Sequence, residues 1–410
     1  MRFSPLLLLL LLAACSENKP TENTMNAPSA PAKNFTEDLA FLRKHHADLV
    51  TLSTPDSSAQ LVIVPAYQAR VMTSTARGGT GAGYGWINYE LIDSRQLQPH
   101  INAFGGEERF WLGPEGGQYS LFFKPGDPQD FDHWQTPAVI DTEKWPLAAR
   151  SESNAIFEKD IALTNYANAA LTMRVRREIT LLPAGEISNQ LNVSLPQGIS
   201  AVAYATDNRI TNTGTAAWNK DSGLPSIWLL GMFNPAPGTV VMVPFREGKD
   251  LSSHLTDDYF GKVPADRIKF LSNALLFSAD GKHRSKLGLT PEAAQPIAGS
   301  FDVDQNILTI IQYELHPDGD YVKSTWEMHD APYKGDAVNT YNDGPNESGG
   351  QLGPFYELES SSNVLPLAPG ESLSHRQITA HFEGDFAGLN ALSQQLLGVS
   401  LEEVKTFLKK

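Results

Sequence analysis

The stretch GPFYELESSS, Gly353 to Ser362, decides how the chain is read. On an extended strand successive side chains point to opposite faces, so Phe355, Glu357 and Glu359 share one side while Tyr356 and Leu358 take the other. A segment that alternates in this way is a half-buried strand with one polar and one apolar face.

Working outward, the same alternation recurs in LVIVPAYQARVMTST (61–75), GWINYELI (85–92), LTMRVRREITLLP (171–183) and ISNQLNVSL (187–195). It continues in ISAVAYATDNRITNT (199–213), SIWLLGMF (226–233), TVVMVPF (239–245) and ILTIIQYEL (307–315). The 32 glycines and 27 prolines fall between such runs as turn punctuation. No regular strand–helix alternation appears, which excludes a parallel α/β sheet, and no fixed period appears, which excludes a propeller or solenoid. The expected fold class is all-β, antiparallel, with a few short helices. One large domain, 35–410, is the simplest division of the chain.

Helices are expected at the two ends of that domain. NFTEDLAFLRKHHADLV (34–50) offers Thr36 as N-cap, with Leu39, Leu42, His46 and Leu49 at helical spacing. Its adjacent His45 and His46 point about 100° apart on a helix, so the pair reads as a solvated face in preference to a metal site. The chain closes with a helical region from Phe386 to Lys410, in which Ser400 and Glu403 form a capping box ahead of Val404, Phe407 and Leu408.

The N-terminal MRFSPLLLLLLLAAC places Arg2 before an apolar run, Leu6 to Leu12, too short to span a bilayer permanently. Residues 1–14 therefore read as a signal peptide. LAAC resembles a bacterial lipobox, which makes Cys15 the lipidation site, and Ser16 after it implies an outer-membrane address. Residues 15–34 are polar and rich in Pro and Ala, as a flexible tether would be. Cys15 is the only cysteine, so the domain holds no internal disulfide and no thiolate catalyst. A formal net charge of −15 argues against a nucleic-acid partner and against adhesion to anionic lipid. The expected partners are a carbohydrate and, through the lipid on Cys15, a membrane; the chain is expected to be a monomer without cofactor or metal.

Several familiar chemistries are absent. RGGTGAGYGW (77–86) lacks the lysine of a P-loop and leads toward a strand, so no helix dipole awaits a phosphate. There is no GxSxG elbow and no HExxH. In FDVDQN (301–306) the spacing of Asp302, Asp304 and Asn306 hints at a calcium loop, but Ile307 and Tyr313 stand where its Gly and Glu are required, so a strand-end turn is expected.

Three constellations remain. Glu357 and Glu359, roughly 7 Å apart on one strand face, repel, and burial would raise one pKa into the range useful to a general acid or base; the alternative is a solvated face. Trp326, Glu327, Tyr341, Asn342 and Asp343 combine flat aromatic faces with amide and carboxylate groups, as sugar recognition requires; the alternatives are core packing for Trp326 and a plain turn for Asn342-Asp343. In FGGEERFWLGPEGGQYSLFF (104–123), strand parity sends Arg109 and Trp111 one way and Phe110 and Leu112 inward, so that Arg109, Trp111, Glu115 and Gln118 would ring one cleft. Glu107 and Glu108 are ambiguous, because the glycine pair before them overrides parity.

NRITNTGTAAW (208–218), SIWLLGMFNPAPGTVVMVPF (226–245) and ELESSSNVLPLAPGESLSHRQITAHF (357–382) resemble the galactose-mutarotase-like supersandwich. More closely, GGEERFWLGPEGGQ, GWINYELI and YNDGP followed by GPFYELESSS resemble a bacterial family of secreted or lipidated proteins with that fold and no settled activity. The resemblance implies a sugar ligand in a cleft on the larger sheet, a Glu base and a His acid. Glu357 is the candidate for the base; His316 and His381 are candidates for the acid, each equally readable as structural. On this reading Glu357, Arg109 and Glu115 are catalytic, in epimerase, lyase or hydrolase chemistry. Trp111, Gln118, Trp326, Glu327, Asn342, Asp343 and Glu359 bind substrate. A non-catalytic glycan-binding lipoprotein and a purely structural envelope protein are the alternatives. The four clusters should line one concavity.

Overall fold

The computed structural model describes residues 34–346 and 349–409. The expected signal peptide, the lipidated Cys15 and the tether up to residue 33 lie outside the described residues. Among those described, three antiparallel sheets carry the fold. A ten-stranded sheet runs Ile268–Phe270, Ala274–Ser278, Thr239–Pro244, Ile297–Asp302, Ile307–Tyr313, Ser372–Glu383, Ser200–Asn212, Ala170–Leu182, Asn154–Thr164, Leu147–Arg150. A six-stranded sheet runs Leu255–Thr256, Ser285–Leu289, Val338–Asn342, Tyr356–Ser361, Ser226–Phe233, Arg109–Gly113. A three-stranded sheet joins Val50–Ser53, Gln60–Val64 and Arg70–Thr75. The antiparallel all-β architecture expected from alternation is the one observed.

Alternation explains the layers. On the ten-stranded sheet Val202, Tyr204, Val241 and Ile311 point toward the six-stranded sheet, where they meet Leu229, Phe233, Leu287 and Leu358. Their neighbours Ala203, Ala205, Met242, Ile310 and Ala380 point outward and are covered by helices Ala184–Leu191, Phe386–Leu397 and Leu401–Leu408 through Ile187, Leu191, Leu392, Val404 and Phe407. Each large side chain buried in this way contributes about 1.5–3 kcal/mol; the helices cover one side of the outer face of the ten-stranded sheet, whereas Asp160, Arg174, Asp207 and Arg209 on its other side are exposed. The six-stranded sheet has one apolar face only.

Some local expectations are corrected. In GWINYELI, Gly85 and Ile87 make only isolated bridges, and Tyr89–Ser94 is a helix because the Asn88 side chain accepts the N–H of Leu91. In ISNQLNVSL the segment Ala184–Leu191 is helical, since Ile187 and Leu191, four apart, form the stripe that packs on the sheet. LVIVPAYQARVMTST is two strands separated by a 3₁₀ turn at Pro65–Tyr67, with Gln68 and Ala69 left-handed. RGGTGAGYGW leads through a 3₁₀ turn into isolated bridges, not into a strand. The first helix, Phe35–His45, is capped by Asn34, which shares a capping box with Glu37; Thr36 instead donates to Gly79 O. His45 and His46 are not a solvated face: His45 lies 3.2 Å from Asp93 and His46 packs edge-on against Tyr67. The C-terminal region breaks into two helices at Gly398, and the Ser400–Glu403 capping box is present. Asp302 closes a strand-end turn by accepting the N–H groups of Asp304 and Gln305.

The glycine pair before the first site strand has a steric reason. Gly105 and Gly106 both have positive φ, and a Cβ on Gly105 would stand 2.0 Å from Trp86 O. The pair turns both following carboxylates into the interior. Glu107 Oε2 meets His381 Nε2 at 3.1 Å and accepts Ser74 Oγ–H at 2.9 Å. Glu108 Oε1 pairs with Arg177 at 2.8 Å, with no exposure of either side chain.

Candidate functional site

The polar face of the six-stranded sheet is where the chemistry-bearing residues gather. Register aligns Lys286, Tyr341, Glu357 and Met232 in one cross-strand row and Gly288, Asn339, Glu359, Leu230 and Arg109 in the next. Trp111 and Trp228 pair one step further. Directly paired residues share a face, so Arg109, Trp111, Glu357 and Glu359 stand together on the side opposite Phe110, Leu112, Tyr356 and Leu358. This is the smaller sheet, not the larger one expected: the inner face of the ten-stranded sheet packs against the six-stranded one, and helices cover part of its outer face.

At the centre Arg109 Nη2 donates to Glu357 Oε1 at 2.6 Å, and its guanidinium lies 4.2 Å above the Trp111 ring. Glu359 Oε2 accepts from Trp228 Nε1 at 3.0 Å and from Lys286 Nζ at 2.9 Å. The Lys286 ammonium also lies 4.9 Å over Trp228 and 5.4 Å over Tyr259. Glu115, half-buried, lies beside the Trp326 indole and feels the charges of Lys286, Glu359 and Arg109. Below, Trp86, Met232, Tyr341 and Phe355 form an apolar floor. Tyr341 OH donates to Asp343 Oδ1 at 2.5 Å, and Gly353 N–H donates to Asp343 Oδ2 at 3.0 Å.

Burial sets the proton chemistry. Removal from water pushes Glu357 up to about 7; Arg109 opposes that and Glu359 reinforces it. Burial likewise raises Glu115 and Asp343. Burial alone would lower the Lys286 ammonium, but Glu359, Glu115 and Glu357 outweigh it and hold it above its ordinary value. Glu357 is thus balanced between its two protonation states near neutrality, the condition under which a carboxyl can both give and take a proton. Glu359 Oε1, Arg109 Nε and Trp111 Nε1 are buried with no hydrogen-bond partner among the described residues, each a liability of about 1–3 kcal/mol unless something else satisfies it.

The centre is covered, not an open cleft: Glu357 is 5% exposed and Glu359 0%. Phe260 lies edge-on to Tyr341 with the Arg284 guanidinium 4.1 Å from its ring, and Tyr259 OH donates to Asp336 Oδ2 at 2.5 Å. The segment carrying Tyr259 and Phe260 therefore lies over the Lys286–Tyr341 end of the face.

Of the residues expected at the site, Arg109, Trp111, Glu115, Trp326, Asp343, Glu357 and Glu359 converge. Three do not. Asn342 points to the other face, where it is fully buried and bonds Gly281 N and His283 O. Gln118 spends both ends of its amide on the backbone of His329. Glu327 is exposed on the far side of Trp326 in sequence and bonds Thr325. Neither candidate histidine joins Glu357: His316 is exposed beside Glu314, and His381 lies inside the sandwich between Thr309 and Glu107. Trp228 and Lys286 were not singled out from the sequence. Trp228 carried a signal, being on the same parity as Met232 in SIWLLGMF; a lone lysine inside SKLGL (285–289) was the signal for Lys286. Among the described residues no group of three or more His, Cys, Asp or Glu is placed to hold a metal ion.

No curated protein matches the chain. It is similar to the solved structure of a putative aldose 1-epimerase from Escherichia coli K12, with 13% identity over 82% of this chain and 99% of that one, TM-score 0.48. It is similar to a galactose mutarotase-like protein from Lactobacillus casei, with 12% identity over 82% and 100%, TM-score 0.47. A putative mutarotase from Salmonella typhimurium gives 11% identity over 82% and 90%, TM-score 0.47. A family model described as "Family of unknown function (DUF6786)" matches residues 33–408, nearly the whole chain, and the chain belongs to that family.

Proposed function

We propose that this chain is a carbohydrate-active protein that holds a sugar against the outer face of the six-stranded sheet, with Glu357 exchanging a proton with the bound sugar. The observation that carries the reading is the set of unpartnered buried atoms Glu359 Oε1, Arg109 Nε and Trp111 Nε1 beside a carboxyl pushed to about 7. One acceptor and two donors fixed at sheet spacing suit vicinal hydroxyls, and indole faces suit the C–H side of a pyranose. Arg109 would stabilise negative charge developing on a sugar oxygen, and Lys286 with Trp228 holds Glu359 in place to accept a hydroxyl. Glu115 is a second carboxyl within reach of the same charges. The reaction type is an epimerase, lyase or hydrolase step. The chain reaches its substrate from a membrane, anchored through lipid on Cys15 in the outer membrane; support for that is the sequence LAAC after a short apolar run.

A non-catalytic glycan binder is the second reading, favoured by the absence of any described histidine beside Glu357. Glu357→Gln separates the two. The enzyme reading expects turnover to be abolished with glycan binding largely intact. Turnover by Glu357→Gln at the wild-type rate removes Glu357 from the chemistry. The binder reading expects no turnover by the wild type and loss of affinity in Trp111→Ala. A glycan array and a thermal-shift screen of sugars that both return nothing refute the carbohydrate reading itself.

A further inference from the structure

An aromatic run leads from the charged centre to the surface. Trp228, which donates to Glu359, lies 5.5 Å from Trp111; Trp111 lies 5.2 Å from Phe122; Phe122 stacks on Trp134 at 6.0 Å; and Trp134 stacks on Phe131 at 6.3 Å. Trp326 stacks on the same Trp134 at 5.6 Å and lies beside Glu115, so the run approaches the centre at two points. Trp111, Phe122 and Trp134 are buried supports. Phe131 is 55% exposed, Met328, two residues beyond Trp326, is 57% exposed, and Trp326 is half-buried.

This outer patch is rigidly held. Gly116 N–H donates to Ser324 O at 3.1 Å, Gln118 clasps His329 through both amide atoms, and Gln129 clasps Gly117 in the same way at 2.8 and 2.9 Å. Gly116 is needed because a Cβ there would stand 2.2 Å from Thr325 O. His100 Nδ1 meets Trp134 O at 2.6 Å, and its ring lies 4.6 Å from Phe131. Exposed aromatics that are costly to leave in water, held in one conformation and continuous with a polar centre, are the construction of a preorganised binding platform.

Resting on the carbohydrate reading above, we infer that Phe131 and Trp326 form an outer sugar subsite, so that the ligand is an oligosaccharide whose one end reaches Glu357 and Glu359 while a further residue stacks at the surface. A free monosaccharide would use the centre and leave this platform uncovered. The rim fits a neutral glycan: Asp130, bonded to His133 at 2.6 Å, adjoins Phe131 in the chain and Glu327 adjoins Trp326, so exposed polar groups flank both residues.

The test is a glycan array carrying mono-, di- and tetrasaccharides of matched composition, probed with the wild-type protein and with Phe131→Ala, followed by titration calorimetry on each binding composition. The expected result is tighter binding of the tetrasaccharide than of its monosaccharide. Phe131→Ala should lower tetrasaccharide affinity about tenfold, the value of one aromatic stack, and leave the monosaccharide unchanged. Equal affinities for mono- and tetrasaccharide in the wild type, or an unchanged tetrasaccharide affinity in Phe131→Ala, overturn the outer subsite while leaving the central site standing. Silence of the wild type on every sugar overturns the carbohydrate reading, and the subsite with it. Thermal unfolding of Phe131→Ala checks that the exposed substitution leaves the fold intact.

Discussion

Replacing Glu357 by Gln should change how the protein's stability depends on pH. In the unfolded chain this carboxyl has its ordinary value of 4.5, and in the folded protein burial holds it at about 7. Between those two values the native carboxyl keeps a proton that the unfolded one has released, so stability falls as pH rises through that window. The full contribution is present below 4.5 and lost above about 7, and a separation of that size is worth about 3 kcal/mol. Measured between about pH 5 and about pH 8, which omits the start of the window, the loss is about 2–3 kcal/mol. The Gln variant has the same shape and no titration, so this component vanishes. Urea unfolding of both proteins at the two pH values, followed by the fluorescence of the seven tryptophans, isolates it as a difference of differences. Wild type should lose about 2–3 kcal/mol more than Glu357→Gln on going to the higher pH. A parallel loss in the two proteins would mean that Glu357 titrates as an exposed carboxylate does, and proton exchange at neutrality would no longer have a basis.

Two further substitutions probe the packing behind the site. Trp228→Phe keeps the ring bulk over Lys286 but removes the N–H donated to Glu359, leaving a buried carboxylate with one partner fewer; a loss of about 1–3 kcal/mol is expected from the urea midpoint, and an unchanged midpoint would show that the bond contributes nothing. Arg177→Met strands the fully buried Glu108, which keeps Gln377 as a side-chain donor; a loss of about 3–5 kcal/mol is expected in the same assay, and a neutral or stabilised variant would refute the idea that the Arg177–Glu108 pair is a buried ion pair.

Alternation alone made much of the sheet architecture legible. It separated Glu357 and Glu359 from Tyr356 and Leu358, and Arg109 and Trp111 from Phe110 and Leu112, because side-chain direction on a strand is a local property of period two. It failed at Tyr89–Ser94 and Ala184–Leu191, short apolar-polar segments for which strand and helix patterns overlap. There the Asn88 cap and the Ile187–Leu191 stripe against the sheet decided for helix.

What the sequence by itself determined is which residues share a face within one strand. Which strands lie side by side, and in which register, belonged to the tertiary structure. Arg109 meets Glu357 across 248 residues of chain, and Lys286 reaches Glu359 across 73. Glu107 and Glu108 were turned inward by a close approach of Gly105 to Trp86. The candidate residues lie on strands of the smaller sheet, while the helices Phe386–Leu397 and Leu401–Leu408 cover part of the outer face of the larger one. Pairing partners and packing layers are set by the sum of burial over the whole domain, and no local pattern contains that sum.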